Sequence, residues 1–465
     1  MNLNETKQRR CRLDATLWLS AMLLAFAGCK GIPTQGEKQA RQQSQTVSRS
    51  YRPEGRQPAL PVLNTNSTLE DFLRFAMLNQ PQVEAAYFDW LVSVERITGE
   101  RSLPDPQFTF QTFNASTLVS SIMPGLLMQF PGPCKLGARA DVASAESGAK
   151  YFAFETAVLQ SALDVKKSYY QLYFLDEKIR VDRTTLDLSS DLERLARAQN
   201  SVGKATLQDV LRAQIEQDRL TTDITNLEAS RDSLMARFKA ALGLTPGTPD
   251  PPVPAEFIST RLDLTEDQLL ATALARNPRL KAMEAEVRMA EAGIKLARKD
   301  KIPDFSAGLS ADVKAEPVMW NPQFSMTLPI WRDKIAADIA AAQAGKRAAQ
   351  ARLSSGQIEL AMDVAEKTFS YGEADRNLSL LQQRLLPRAR KSLALARAGY
   401  LSGQVDFFNL IDGERTLLNF ELAEVEARTS RETVLAELSL MIAGVPPPGA
   451  PLLNASKTKS TKSND

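Results

Sequence analysis

One helical corner occurs twice in this chain, close to half a chain length apart. The stretch GYLSGQVDFFNLIDGERTLLNFE occupies residues 399–421, and a fainter copy, NSVGKATLQDVLRAQIEQDRLTT, occupies 200–222. A shift of 200 residues superposes Gly203 on Gly403, Asp209 on Asn409, Leu211 on Ile411, Leu220 on Phe420 and Arg231 on Arg431. A chain of 465 residues written this way folds as two equivalent halves, each turning a long helix back on itself. Glycine at each turn supplies a backbone conformation that other residues resist.

The halves also begin alike. TLEDFLRFAMLNQPQVEAA and LTEDQLLATALARNPRLKAMEA align Ala76 with Ala273 and Pro81 with Pro278. Each opening has an acidic first turn, an apolar face at helical spacing and a Gln-Pro or Asn-Pro that interrupts it. SLPDPQFTF in the first half and KIPDFSAGL in the second then lead into strand-like sequence. Over residues 305–313 every second residue is apolar, with Ser306, Gly308, Ser310 and Asp312 between, and 324–328 repeats the alternation. This period of two predicts one wet and one apolar face. The first half is less regular, in QFTFQTF and STLVSSIMPGLLMQF. Each half thus offers two strands of about ten residues, the length that crosses a bilayer when tilted.

Proline then almost vanishes. None lies between Pro133 and Pro246, and only Pro387 lies between Pro329 and Pro446. These stretches, rich in Ala, Leu, Arg, Glu and Gln, predict long helices. From Lys135 to the corner at Gly203 a single helix would extend on the order of 100 Å. The returning arms cover residues 206–242 and 406–442. The domain reading is a signal peptide over 1–28, an anchored extension over 29–66, a first half over 67–244, a Pro-rich linker over 245–262, a second half over 263–445, and a disordered tail over 446–465.

At the N-terminus, Lys7, Arg9, Arg10 and Arg12 precede the apolar run ATLWLSAMLLAFAGC. That run is too short to span a membrane and ends in small residues, as an export signal does. FAGC resembles a bacterial lipobox, which would make Cys29 the lipidated first residue of the mature chain; ordinary cleavage near Ala27 is the other reading. Cys11 leaves with the signal and a lipidated Cys29 has no free thiol, so on the lipobox reading Cys134 has no intrachain partner.

Composition narrows the function. Lys+Arg 57 against Asp+Glu 55 gives a net charge of +2 and no electrostatic case for nucleic acid. With no histidine, the commonest member of nucleophile dyads and zinc sites is missing. No enzyme, cofactor or metal site is read here. SVGKAT lacks the upstream glycine and the hydroxyl residue of a phosphate loop. Met123, Met128, Met319 and Met326 sit in or beside the strands, where scattered methionine is ordinary core or lipid-facing material.

Four strands cannot close a membrane barrel, and an open sheet in lipid leaves its edge amides and carbonyls unsatisfied. Known single-chain barrels start at about eight strands, so several chains must pool theirs; three would give about twelve. A lipid-anchored periplasmic coiled-coil scaffold or adaptor would explain the helices, but not two amphipathic strand pairs.

The second corner, in full ALARAGYLSGQVDFFNLIDGERTLLNFELAEVEAR, resembles the bacterial outer membrane efflux protein (TolC) family. Its weaker twin, the Gln-Pro and Asn-Pro openings and the duplicated strand pairs extend the resemblance over residues 67–445. It implies an α+β membrane protein whose duplicated unit is two β-strands plus a long antiparallel helical hairpin. Three copies would form a twelve-stranded β-barrel in the outer membrane, continued by a periplasmic α-helical barrel. The implied role is the exit duct of a tripartite efflux system, joined by a periplasmic adaptor to an inner-membrane transporter of RND type. FAGC points to the lipid-anchored branch, and FPGPCKLGARAD resembles heavy-metal-associated members. By family position, Asp209, Asn409 and Asp412 line the periplasmic entrance. Val202, Gly203 and Lys204, with Ser402, Gly403 and Gln404, are the adaptor-docking tips. Val405 stands where some members carry a basic latch residue, leaving Arg212 or Lys204 as substitutes. The plain alternatives are solvated helix-start acids and simple turn chemistry.

Overall fold

The computed structural model describes residues 33–115, 118–253, 262 and 264–442. The signal-like segment, Cys29, residues 254–261 of the linker and the C-terminal tail lie outside the described residues. The first half contains α1 (Gln35–Tyr51), α2 (Leu69–Asn79), α3 (Pro81–Arg101), β1 (Gln107–Ala115), β2 (Leu118–Phe130), α4 (Lys135–Ser201) and α5 (Leu207–Ala241). The second half repeats the order from α2 onward. It has α6 (Glu266–Arg276), α7 (Pro278–Lys299), β3 (Phe305–Asp312), β4 (Met319–Met326), α8 (Arg332–Leu380), α9 (Leu386–Ser402) and α10 (Phe407–Met441). The stretch from Lys135 to the first corner is one helix, and both returning arms fall within a residue of the stretches predicted for them.

The described chain forms two compact units, one taking in residues 87–152 and 281–354 and the other 47–86, 153–280 and 355 onward. The first unit carries an antiparallel sheet of order β1-β2-β3-β4. Directly paired residues share a face, so the register sorts the side chains. Phe108, Leu126, Leu309 and Pro322 lie across one face, and Phe130, Phe305 and Met326 on the same side. Thr109, Gly125, Ser310 and Asn321 cross the other, with Ser306 and Ser325 beside them. Those two serine hydroxyls lie 2.5 Å apart, and Gln323 donates to the Ser310 hydroxyl at 3.4 Å.

Pairing also explains what periodicity blurred. A register shift between Phe113 and Asn114 breaks the alternation of β1, and Met123 and Leu127 place apolar groups on the polar side of β2. β4 begins at Met319 rather than at the alternating stretch from 324, because its backbone pairs with β3 up to Asp312↔Met319. In the same unit Glu37 of α1 is fully buried, bridging Arg101 at 2.6 Å and Arg41 at 3.1 Å.

The second unit is helical. Phe72, Tyr169 and Phe238 centre its core, with the Phe72 and Phe238 rings 5.4 Å apart. The repeated amide before proline caps a helix end. Asn79 donates to the carbonyls of Leu242 and Gly243, and Gln80 to those of Ala240 and Ala241, where α5 stops. Asn277 donates to the Met441 carbonyl where α10 stops, at 3.1 Å, and accepts from Arg279 and Leu280 at the start of α7. These orphan carbonyls and amides are the groups that helix termini leave unpaired.

Candidate functional site

Each corner is built by its last helical carbonyls and one left-handed glycine. Gly203 has φ 73° and Gly403 φ 76°, in the region where a side chain is strained. The next amide closes each loop, Lys204 donating to the Gln199 carbonyl at 2.9 Å and Gln404 to the Gly399 carbonyl at 2.8 Å. Val202, Lys204, Ser402 and Gln404 are exposed beside the two glycines. Volume is exchanged between the copies, since Gln199 and Ala205 in one become Gly399 and Val405 in the other. A Cβ on Gly399 would lie 2.6 Å from a Val405 methyl.

Asp209, Asn409 and Asp412, the positions expected at the entrance, separate into two kinds. Asp209 Oδ2 accepts from the Thr206 amide at 3.0 Å and its hydroxyl at 2.9 Å, while the Thr206 hydroxyl accepts from the Asp209 amide at 3.3 Å. That reciprocal box ties the Asp209 carboxylate to its own helix start. In the second corner Asp406 takes the cap position and accepts from the Asn409 amide at 3.0 Å. Asn409 and Asp412 are exposed. Each corner is thus held within itself, but no hydrogen bond joins Asp209, Asn409 and Asp412 within the chain among the described residues. Arg212, a substitute latch by sequence, has its guanidinium 5.7 Å from the Phe408 ring centre.

The two hairpins share one apolar cluster near the corners: Leu192 and Ala196 from α4, Val210 and Ala213 from α5, Leu393 and Tyr400 from α9, and Phe407, Leu410 and Ile411 from α10. Beside it, Arg415 of α10 donates to Glu216 of α5 through Nε at 3.1 Å. Glu216 is 3% exposed and the adjacent Glu414 2%. Neither Glu414 carboxyl oxygen has a hydrogen-bond partner. Burial, and secondarily the Glu216 charge, pushes the Glu414 carboxyl up to about 8.

The sequence reading missed Asp406, Gly399, Glu216, Glu414 and Arg415. For Glu414 a signal existed: Phe407, Leu410, Ile411 and Glu414 follow helical spacing, so the acid stands on the buried stripe. Among the described residues no three His, Cys, Asp or Glu side chains converge as a metal site. No described helix is long and apolar enough to cross a membrane, which says nothing of the sheet.

An amphipathic sheet carried by a chain with two long antiparallel hairpins is the build of an outer-membrane channel protomer. Residues 102–244 and 269–444 match the outer membrane efflux protein family, and the chain belongs to it. The cobalt-zinc-cadmium resistance protein CzcC of Cupriavidus metallidurans is 22% identical over 266 residues, 54% of this chain and 60% of the relative. The pyoverdine export outer membrane protein OpmQ of Pseudomonas aeruginosa is 23% identical over 339 residues, 67% of this chain and 68% of that one. The matched region thus spans three fifths to two thirds of these relatives. The fold is that of the outer-membrane channel OprN (TM-score 0.70, 17% identity, 81% of this chain and 90% of that chain). CusC superposes equally well (TM-score 0.71, 16% identity, 84% and 98%).

Proposed function

We propose that this chain is the outer-membrane exit duct of a tripartite efflux system, a passive conduit driven by an inner-membrane transporter of RND type. The observation that carries the reading is the sheet: one face apolar across all four strands, with β1 and β4 as edges that have no further strand partner among the described residues. Phe108 is 73% exposed and Phe324 82%, a surface suited to lipid and costly in water. Edges in lipid must be paired, so three chains pool about twelve strands into a closed barrel. The helical hairpins continue the barrel into the periplasm, and the glycine corners meet an adaptor protein. Asp412, with Asp209 and Asn409 nearby, lines the entrance there. Cys29 carries the lipid anchor. The relatives' names span metal-ion resistance and pyoverdine export, so cargo is selected at the transporter; the duct need not bind what passes.

Purified full-length chain in planar bilayers should give discrete, cation-preferring conductance. A periplasmic scaffold would give none. Close carboxylates concentrate cations in a way that salt screens, so Asp412→Asn should lower cation preference and weaken block by multivalent cations. A variant that conducts and blocks like wild type removes Asp412 from the entrance and leaves the duct standing. Cys29→Ser should abolish palmitate labelling, and unchanged labelling refutes the anchor.

A further inference from the structure

Glu414 is an acid in an apolar place with a charged pair beside it. It sits on the stripe of α10 that packs into the cluster shared by both hairpins, 2% exposed and with both oxygens unpartnered. A carboxylate so placed has lost its water and gained no donor, which favours the neutral acid. Its neighbour Arg415 is committed to Glu216 on the other hairpin of the same chain.

The groups that act on this arrangement lie on α5 and α10, while the titratable groups of α4 and α9 face other residues. Glu216 on α5 and Arg415 on α10 act directly on Glu414, and Asp412 acts on Arg415. α4 brings Glu193, which accepts from Gln214 of α5 at 3.1 Å and also pairs with Arg197. α9 brings the buried Tyr400 hydroxyl, which faces the Asp209 charge. The guanidinium of Arg415 is the cation paired with Glu216, so two buried carboxyl groups compete for one positive charge.

We propose that Glu414 is a proton-operated release on the contact between the two hairpins of each chain. Neutral, it stays buried and leaves Arg415 to Glu216, holding the hairpins together. When it gives its proton to solvent, the new carboxylate competes for Arg415, draws in water and is pushed toward solvent by Glu216, so the hairpins part. On the duct reading, on which this rests, parting the hairpins widens the periplasmic entrance.

The direction of the pH effect is set by the proton count. Buried, the group holds its proton up to about 8, whereas in solvent it releases it near 4.5. The closed form therefore carries the extra proton between those values. Across that window each pH unit shifts the balance toward the open form by up to about tenfold, and above about 8 the shift stops.

The test uses the full-length protein. Infrared difference spectra should show a protonated-carboxyl carbonyl band at neutral pH that is absent in Glu414→Gln. In planar bilayers, wild-type conductance should rise from pH 5 to 8 and then level, while Glu414→Gln stays at the low-pH value throughout. Glu216→Gln removes both the pair that holds the hairpins and the charge that repels the Glu414 carboxylate, so it should raise the low-pH conductance and move the rise to lower pH. This variant keeps the test available if Glu414→Gln fails to fold. A Glu414→Gln profile that tracks wild type, a missing infrared band, or an unshifted Glu216→Gln rise overturns the proposal. If no form conducts at any pH, the duct reading fails instead, and the infrared band still decides where the proton is.

Discussion

Each returning helix opens with one carboxylate and one neutral partner, but the two corners seat them in opposite order. Thr206 with Asp209 becomes Asp406 with Asn409, so the acid moves from the third helical position to the cap itself. Either seat places negative charge against the same unpaired amides and the positive end of the helix. Compared position by position, Asn409 reads as a lost acid; compared as a cap, nothing is lost. Asp209→Ala and Asp406→Ala should each cost ~0.5–2 kcal/mol, read as faster amide exchange in the first turn of α5 or α10. Asn409→Ala should cost clearly less, and equal losses at all three positions would contradict the capping assignment. At the apex, Gly403→Val places a β-branched residue at φ 76°. A strain on the order of 1–2 kcal/mol confined to an exposed turn should leave assembly and membrane insertion intact. Export in cells should fail if the tip docks an adaptor, and normal export would remove the tip from that role.

At the scale of elements, the second ascending helix carries one residue more than the first. Arg231 pairs with Asp176 across 55 residues, and Arg431 with Asp375 across 56. The excess lies before the corner, since Gly203 comes 27 residues after Asp176 and Gly403 comes 28 after Asp375. A π-helical turn over Leu381–Leu385 sits in that interval, next to Pro387, whose ring removes a donor and crowds the preceding turn. Such a turn absorbs one inserted residue without rotating the helix beyond it. Deleting Gln383 should therefore leave the melting temperature within a few degrees of wild type. Deleting Asp187 from the unbroken α4 rotates Leu192 and Ala196 out of the shared cluster and should lower it sharply. In the sheet, the register predicts unequal tolerance. Leu309→Arg should cost roughly 2–4 kcal/mol in lipid if the residue lies near the midplane, and Ser306→Arg much less. Refolding into detergent or lipid, with chemical denaturation afterwards, measures both, and equal losses would overturn the face assignment.

For the whole molecule, four strands with two open edges are an incomplete object in a membrane. Completion by copies of the same chain predicts a species in unheated SDS gels at roughly three times the monomer mass, collapsing on boiling, with strand signal retained in detergent. An unheated monomer with almost purely helical circular dichroism would refute the barrel. The tip cluster has a different logic. Leu192 and Val210 come from the first hairpin, Leu393 and Leu410 from the second, so the duplicated corners lean on each other within one chain. That contact carries the Arg415–Glu216 pair.

Much of this was legible in the chain itself. The 200-residue repeat, the helix spans and the alternation over 305–313 depend on local periodicity and on glycine and proline, whose backbone effects act within a few residues. The work of Asn79, Gln80 and Asn277 was not legible, because each caps a helix end more than 150 residues away in sequence. Nor could the π turn be read from spacing, since it shows only when two distant ion pairs are compared. Glu414 marks the boundary between the two kinds of information. Its place on an apolar stripe is written in the sequence, but its lack of a partner depends on what α4, α5 and α9 bring against that stripe. Local sequence determines which face a side chain occupies; only packing decides whether that face meets water, a donor or neither.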